Sequence, residues 1–497
     1  MNTDNRPIGI CSMMLPKILS FLALLSTCLA TAPALAADHF PHYPAITANV
    51  AFWEKIYSTY SINTIVVHDK NDVTKIYETV QLVDKDLPAA SQINSTMISF
   101  ATTKYQRILQ DLADGKRPAT VEEKRIASMY KGRDSRGRMA KAAQSVRTQK
   151  GQKERFLEGV VRSGRYLPTI RAIFKEHGLP SELAYLPHVE SSFNIKAYSK
   201  AGASGMWQFT LGTGKQYMRI DDAVDERSDP YIAARAAARY LRDGYQKLGS
   251  WPLALTAYNY GTAGMVRAKT AKGSYERIFL EYREGNFGFA SQNFYAEFLA
   301  AIHVAKKLEA SRQVRLDRPV DFVEYRLPSY IHLRNVKRHF GVTDAMIDEL
   351  NPAIRPPVYR GEKLLPAGYH LRLPATRHIN ALIARVPDAY FQREQTRGKY
   401  HLVRPGETLT QIAAKYQIKV RTLAAANGLR HDAKVRIGQR LRIPPETASR
   451  TSSSVRSLSA AEAKRHRSST NTKSSPPASE PLVLSAETSK IEYISAN

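Results

Sequence analysis

The chain has 497 residues, 43% hydrophobic and 24% charged, which describes globular material long enough for several domains. Its formal net charge of +28 suits a polyanionic partner, yet Lys and Arg are spread along the whole length. That favours diffuse attraction to an acidic surface, such as a cell wall or membrane headgroups, and excludes a nucleic-acid reading head, which needs a concentrated basic element.

The N-terminus carries Arg6 and Lys17, then the apolar run Ile18 to Ala30, then Ala34-Leu35-Ala36. This is the order of a secretory signal over 1–36, cut before Ala37, and the expected destination is the periplasm or the exterior. The run is short for a membrane span. Leu25-Ser26-Thr27-Cys28 also resembles a lipoprotein processing box, which leaves a second reading open: lipidation at Cys28 and association with the outer membrane. Both cysteines, Cys11 and Cys28, fall inside this segment. A mature chain would hold no thiol, which excludes disulfides, zinc-thiolate sites and a Cys nucleophile. No His-Glu-x-x-His stretch or Gly-rich phosphate loop appears, so neither a metal nor a cofactor is expected.

Residues 37–155 read as a helical N-terminal region with no evident function. Phe52, Trp53, Ile56 and Tyr57 form an amphipathic face, and the basic stretch Lys124 to Lys153 is expected as a solvated helix or flexible connector. From Phe156 the helical signals become dense. Phe156, Val160, Leu167, Ile170, Ile173 and Phe174 recur at helical spacing before His177-Gly178-Leu179-Pro180 punctuates the chain.

Ser181 then opens a helix through Leu183 to Asn194, with a kink expected at Pro187, which has no amide donor. On it Leu183, Leu186, Glu190 and Phe193 follow i, i+3, i+7, i+10, so a carboxylate shares a stripe with three large apolar side chains. Burial disfavours the charged form and raises the pKa, which would let Glu190 carry a proton at neutral pH and act as a general acid. A structural Glu bonded to a neighbouring donor satisfies the same pattern.

Next comes Ala201-Gly202-Ala203-Ser204-Gly205-Met206-Trp207-Gln208-Phe209, small residues that let a backbone approach closely, as a groove-lining loop must. Asp229-Pro230 reads as cap and first residue of a helix running towards Gly249. Ser250 and Pro252 open another that ends in Ala257-Tyr258-Asn259-Tyr260-Gly261, and Phe294 begins a further one with Tyr295 near its start.

Three of these blocks, Glu190-Ser191-Ser192-Phe193, Gly205-Met206-Trp207-Gln208 and Ala257-Tyr258-Asn259, stand in the order of the signature blocks of lytic transglycosylases in glycoside hydrolase family 23, which this stretch resembles. The Trp and the modules downstream are most similar to the membrane-bound murein transglycosylase D group. The resemblance covers 156–308 and implies a mainly α, lysozyme-like catalytic domain. Downstream, Tyr400 to Leu409, Ile412-Ala413, Leu423, Asn427-Gly428-Leu429 and Ile437 to Pro444 resemble the LysM module, a small βααβ unit that binds N-acetylglucosamine-containing glycans, over 399–444. A degenerate copy follows the same plan over 320–375. It has Ser329-Tyr330-Ile331 in place of Gly-[Glu/Asp]-Thr and a longer span from Asn351 to Gly368, so a spacer role competes with glycan binding. A connector with some helical content is expected between the copies. The Ser/Thr/Lys-rich residues 445–497 hold few apolar side chains and are expected to be disordered.

The resemblance implies peptidoglycan glycan strands as the partner. Glu190 would donate a proton to the oxygen linking N-acetylmuramic acid to N-acetylglucosamine, then take one from the 6-hydroxyl of the same muramoyl residue, whose attack on C1 closes a 1,6-anhydro ring. The signature blocks offer a single carboxylate, which suits a substrate that supplies its own nucleophile. Ser191 and Gln208 would hold N-acetyl or peptide groups, and Met206 would wall off water. Tyr258 and Asn259 would line the groove, and Tyr295 would bond the acetamido group or orient Glu190. A lysozyme-like muramidase using water and a non-catalytic wall-binding protein are the competing readings.

Overall fold

The computed structural model describes residues 39–395 and 399–444. The expected secretory signal with Cys28 and the expected disordered tail lie outside the described residues. Among those described, no helix is long and apolar enough to cross a membrane.

Helix α1 (Thr47–Ser58) buries Val50, Phe52, Trp53, Ile56 and Tyr57. After it the chain turns to β-structure, which the helical reading of 37–155 misses. Strands β1 (Thr64–Asp69), β2 (Ile76–Gln81) and β3 (Val146–Lys150) form an antiparallel sheet in the order β2-β1-β3, with Val66 opposite Thr79 on one side and Gln149 on the other. Thr64-Ile65-Val66-Val67 is rich in β-branched residues, but both faces of β1 are buried, so it lacks the alternation that marks a half-exposed strand. Helices α2 (Ala90–Ala113), α3 (Val121–Ser128) and α4 (Ser135–Ala143) close a small core with this sheet around Ile65, Val67, Tyr77, Tyr105, Leu109, Ile126 and Met139. The basic stretch Lys124 to Lys153 is therefore ordered, holding the end of α3, all of α4 and β3.

The main helical lobe follows in α5 (Lys153–Glu176), a 3-10 turn Ser181–Tyr185, α6 (Leu186–Glu190), α7 (Leu211–Tyr217), a 3-10 turn Glu226–Ser228, α8 (Pro230–Leu248), α9 (Trp251–Tyr260), α10 (Thr262–Lys272), α11 (Tyr275–Glu281) and α12 (Phe289–Glu309). The Asp229 carboxylate accepts from the amides of Tyr231 and Ile232 at 3.0 and 2.9 Å and starts α8, which ends at Gly249 with φ 74°. Helix α12 begins at Phe289, over a turn before Phe294, so Tyr295 sits in its second turn. The lobe's core joins Phe156, Phe174, Trp207, Leu241, Leu255 and Phe298 to the buried face of α1, which lies against α12 and α5. The lobe thus takes in residues well before Phe156.

Two βααβ units come next. In the first, β4 (Phe322–Arg326) pairs antiparallel with β6 (His370–Pro374) around α13 (Leu333–Phe340) and α14 (Asp344–Leu350), with Tyr325 opposite Leu371. The short β5 (Tyr330–Ile331) follows β4, and α15 (Pro356–Tyr359) occupies the extra length after Asn351. The connector holds α16 (Ile379–Ala384) and β7 (Phe391–Gln392), which pairs with β5. In the second unit β8 (Lys399–Leu402) pairs with β9 (Arg440–Ile443) around α17 (Leu409–Lys415) and α18 (Val420–Ala426), over a core of Val403, Leu409, Ile412, Leu423 and Leu441.

Candidate active site

Glu190 does not ride a continuous helix. The chain changes from a 3-10 turn to α6 just before Pro187, which sits in the first turn of the new helix, where a missing amide costs nothing. Helix α6 ends at Glu190 itself. The amides of Ser191 and Phe193 both return to the Pro187 carbonyl, at 3.0 and 3.1 Å. Ser192 and Phe193 take left-handed φ of 52° and 58°, so Phe193 reaches its buried position by a tight reversal and not by the helical stripe the spacing predicts. Gln208 is left-handed as well, at 49°. Each such residue costs about 1–3 kcal/mol, and three of the six non-glycine cases among the described residues flank Glu190.

The carboxyl group of Glu190 is partly buried, and burial pushes its pKa up to about 8, with the Glu297 carboxylate adding to the rise. Glu297, on α12, is a second carboxyl that the signature blocks do not contain. Burial raises it to about 8 too, against the opposing pull of the Arg147 guanidinium. Arg147 comes from β3 and lies over the Phe289 ring at 4.4 Å. Tyr57 from α1, and Tyr240 and Tyr258 from α8 and α9, all have hydroxyls pushed above the usual tyrosine range, by burial first and with Glu190 among the charges they feel. Tyr240 meets the Tyr258 ring edge-on at 5.4 Å, and Tyr57 stacks on Phe156 at 4.5 Å. His188, two residues before the acid, is buried between Phe156, Tyr185 and Phe193, and burial lowers its pKa to about 3, so it stays neutral.

The small-residue loop closes beside this acid. At Gly205, φ is +79° and a Cβ would lie 1.8 Å from the Arg227 carbonyl oxygen, which only glycine allows. The Ser191 hydroxyl donates to the Met206 carbonyl at 2.7 Å, and the Tyr258 hydroxyl to the Trp207 carbonyl at 2.8 Å. Trp207 stacks on Phe174 at 5.6 Å and donates to the Pro230 carbonyl. The loop is thus tied on one side to the residue after Glu190 and on the other to the end of α9. Ser191 and Met206 are both buried. The side-chain amide of Gln208 donates to the Gly205 carbonyl at 2.8 Å. Asn259 is exposed at the end of α9 and accepts from the Ser291 hydroxyl at 2.7 Å. Tyr295 is fully buried; its hydroxyl donates to the Pro41 carbonyl at 3.0 Å, and its ring meets Tyr275 edge-on at 5.1 Å.

Five of the predicted residues, Ser191, Met206, Gln208, Tyr258 and Asn259, therefore lie on the loop, the turn and the helix end that surround or adjoin Glu190. Tyr295 stands in the aromatic layer against Pro41. Sequence reasoning missed Glu297, Arg147, Tyr57 and Tyr240. For Glu297 a signal existed: it is the acid among Phe294, Tyr295, Phe298 and Leu299, the same contradiction that singles out Glu190.

Residues 168–279 match the Transglycosylase SLT domain family and residues 401–444 the LysM domain family. The chain is 24% identical over 314 residues to membrane-bound lytic murein transglycosylase D of Escherichia coli K12, covering 59% of this chain and 68% of that one. Over 109 residues it is 36% identical to a protein of Alteromonas sp. strain M-1 described as a putative tributyltin chloride resistance protein, covering 22% of this chain and 53% of that one. Among solved structures, the 70 kDa soluble lytic transglycosylase SLT70 of Escherichia coli aligns at 14% identity with a TM-score of 0.26, over 48% of this chain and 39% of that chain. The chain carries a transglycosylase SLT domain followed by a LysM domain and is homologous to the lytic murein transglycosylases.

Proposed function

We propose that the protein is a peptidoglycan lytic transglycosylase, in which Glu190 is the acid and then the base for cleavage between N-acetylmuramic acid and N-acetylglucosamine. The observation that carries this reading is the Glu190 carboxyl, raised by burial to about 8, within the SLT match and next to the turn that Ser191 ties to the Met206 carbonyl. Glu190 gives its proton to the glycosidic oxygen as the bond to C1 breaks. It then takes the proton of the muramoyl 6-hydroxyl as that oxygen bonds to C1. No water is consumed. The 2-acetamido group supports C1 meanwhile, so no second carboxylate is required.

Beside Glu190, the burial that raises the Glu297 carboxyl to about 8 disfavours the anionic form that a second, nucleophilic carboxylate needs. Ser191 acts through its bond to the Met206 carbonyl, holding the loop, while Gln208, Tyr258 and Asn259 line the groove. Met206 backs the site from its buried side, and Tyr295 braces the aromatic layer against Pro41. The LysM module holds the glycan of the wall, and residues 1–36 direct the chain to the cell envelope, in keeping with a relative described as membrane-bound.

Glu190→Gln is expected to abolish cleavage of purified sacculi while leaving wall binding intact. Mass analysis of the parent's products should show anhydromuramoyl ends. Products heavier by one water would identify a muramidase, and substantial cleavage by the variant would remove Glu190 from the mechanism.

A further inference from the structure

The first βααβ unit shares its core with the catalytic lobe. Ala223 and Val224, from the segment before α8, pack among Leu327, Val336, Ile347, Leu371 and Leu373. Backbone bonds cross the seam in both directions: the Asp225 amide donates to the Ala353 carbonyl at 2.8 Å and the Arg355 amide to the Ala223 carbonyl at 2.9 Å. At the centre lies an ion pair between Arg372 Nη2 and Asp229 Oδ1 at 2.6 Å, with the two side chains 2% and 0% exposed. Without Arg372 the Asp229 carboxylate would be buried with no countercharge, whereas Arg372 has a second, exposed acid in Glu324, 3.4 Å from its Nε.

Arg372 is held by its own unit before it meets the lobe. Asn351 accepts from the Arg372 amide and donates to its carbonyl, both at 2.8 Å, and Nη1 donates to the Leu350 carbonyl at 3.0 Å. The LysM module builds the same slot. Asn427 brackets the Arg442 backbone at 2.7 and 2.9 Å, and the Arg442 guanidinium donates to the Ala426 carbonyl at 3.1 Å. That guanidinium also reaches back, to Glu362 of the first unit at 2.5 Å. The equivalent arginine in each copy seats it on what precedes it.

From Asp229 the contacts run to the active site. The Asp229 amide closes the 3-10 turn Glu226–Ser228 on the Glu226 carbonyl. Arg227 in that turn is gripped by Asp225 through two bonds of 2.9 and 2.7 Å. Its remaining nitrogen donates to the carbonyls of Gly202 and Phe209, at 2.9 and 3.2 Å, which are the two ends of the loop that carries Met206 and Gln208. Gly205, midway, presses on the Arg227 carbonyl.

We propose that Arg372 is a positioning residue for cleavage: by seating the first repeat on Asp229, it fixes the turn from which Arg227 holds the Gly202 to Phe209 loop beside Glu190. The repeat serves as a brace for the catalytic lobe and not as a glycan site. Its long Asn351 to Gly368 loop is spent on the seam, whereas the matching loop of the LysM module borders an open concavity of about 540 Å³ lined by Leu429, Lys434, Arg436 and Ile437. The proposal rests on Glu190 being the acid.

The test uses the full chain with Arg372→Lys, which keeps the charge and loses the fork, and a double variant Arg372→Met with Asp229→Asn, which removes both charges. Steady-state kinetics on soluble glycan strands and amide hydrogen exchange across 202–209 are read for each, beside the thermal unfolding transition. The expected result is faster exchange in the loop, a kcat lowered about tenfold to a hundredfold and a KM little changed, in variants that remain folded. Unchanged loop exchange in a folded variant, or a fall in kcat no larger than the unfolded fraction, would overturn the brace. Exchange is read also in Glu190→Gln, where loosening by Arg372→Lys is expected to persist whether or not Glu190 is the acid, so the two assignments fail separately.

Discussion

Two acids sit where only apolar side chains should. Burial disfavours the charged form of each and displaces both upward; at Glu190 the Glu297 carboxylate adds to the rise, while at Glu297 the Arg147 guanidinium opposes it. The displacement fixes the sign of a pH effect. A carboxyl raised in the folded state contributes stability that is present below its ordinary value and is lost as pH rises through the folded value, about 8 for Glu190. Glu190→Gln is therefore expected to flatten the loss of thermal stability between pH 5 and pH 9 that the parent shows; a variant that loses stability with the same slope would mean Glu190 ionises freely. For Glu297→Gln, one raising influence on Glu190 disappears, so the alkaline fall of kcat/KM should move to lower pH. An unmoved limb would uncouple the pair. Glu190 was legible because a motif and a violated stripe coincide there. Glu297 shows only the violation, on a helix buried nearly all round, and Tyr57 and Arg147 reach the site from segments whose neighbours in sequence say nothing of it.

The start of α8 was legible because the Asp229 side chain caps it locally, with Pro230 as its first residue. Strands β1 to β3 were not, because β3 pairs with β1 from far along the chain and β1 is covered on both sides. The same blindness assigned α1 to a separate region. Its face was read correctly, but amphipathicity states that a helix has a core side, not whose core it meets. Phe52 is buried against the ring of His68 at 4.9 Å, and Trp53 donates to Asn293 of α12 at 3.3 Å. Phe52→Ala should cost about 3–5 kcal/mol of stability, measured by denaturant unfolding, in a transition that takes the catalytic lobe with it. A loss confined to the small N-terminal sheet, with the lobe unfolding unchanged, would return α1 to the region before the lobe.

Across the whole molecule, cleavage and retention on the wall are assigned to different parts. Deleting Tyr400 to Pro444 is expected to lower retention on insoluble wall more than turnover of short soluble strands, measured by co-sedimentation and product release. Equal retention by the shortened chain would count against the anchor. The two βααβ units were legible as relatives of one another, and their unequal loops were too. What those loops touch was not, since Ala353 and Arg355 carry no mark of a seam. The paired slot in which an asparagine grips the backbone of an arginine has one further consequence, for how such arms grow. Because the cation is preset within its own copy, a duplicated unit arrives with its coupling already built, and one acidic residue on the neighbour, as at Asp229 or Glu362, is enough to receive it. Lengthening the arm then asks for a single new anion, and the loops are left free to diverge.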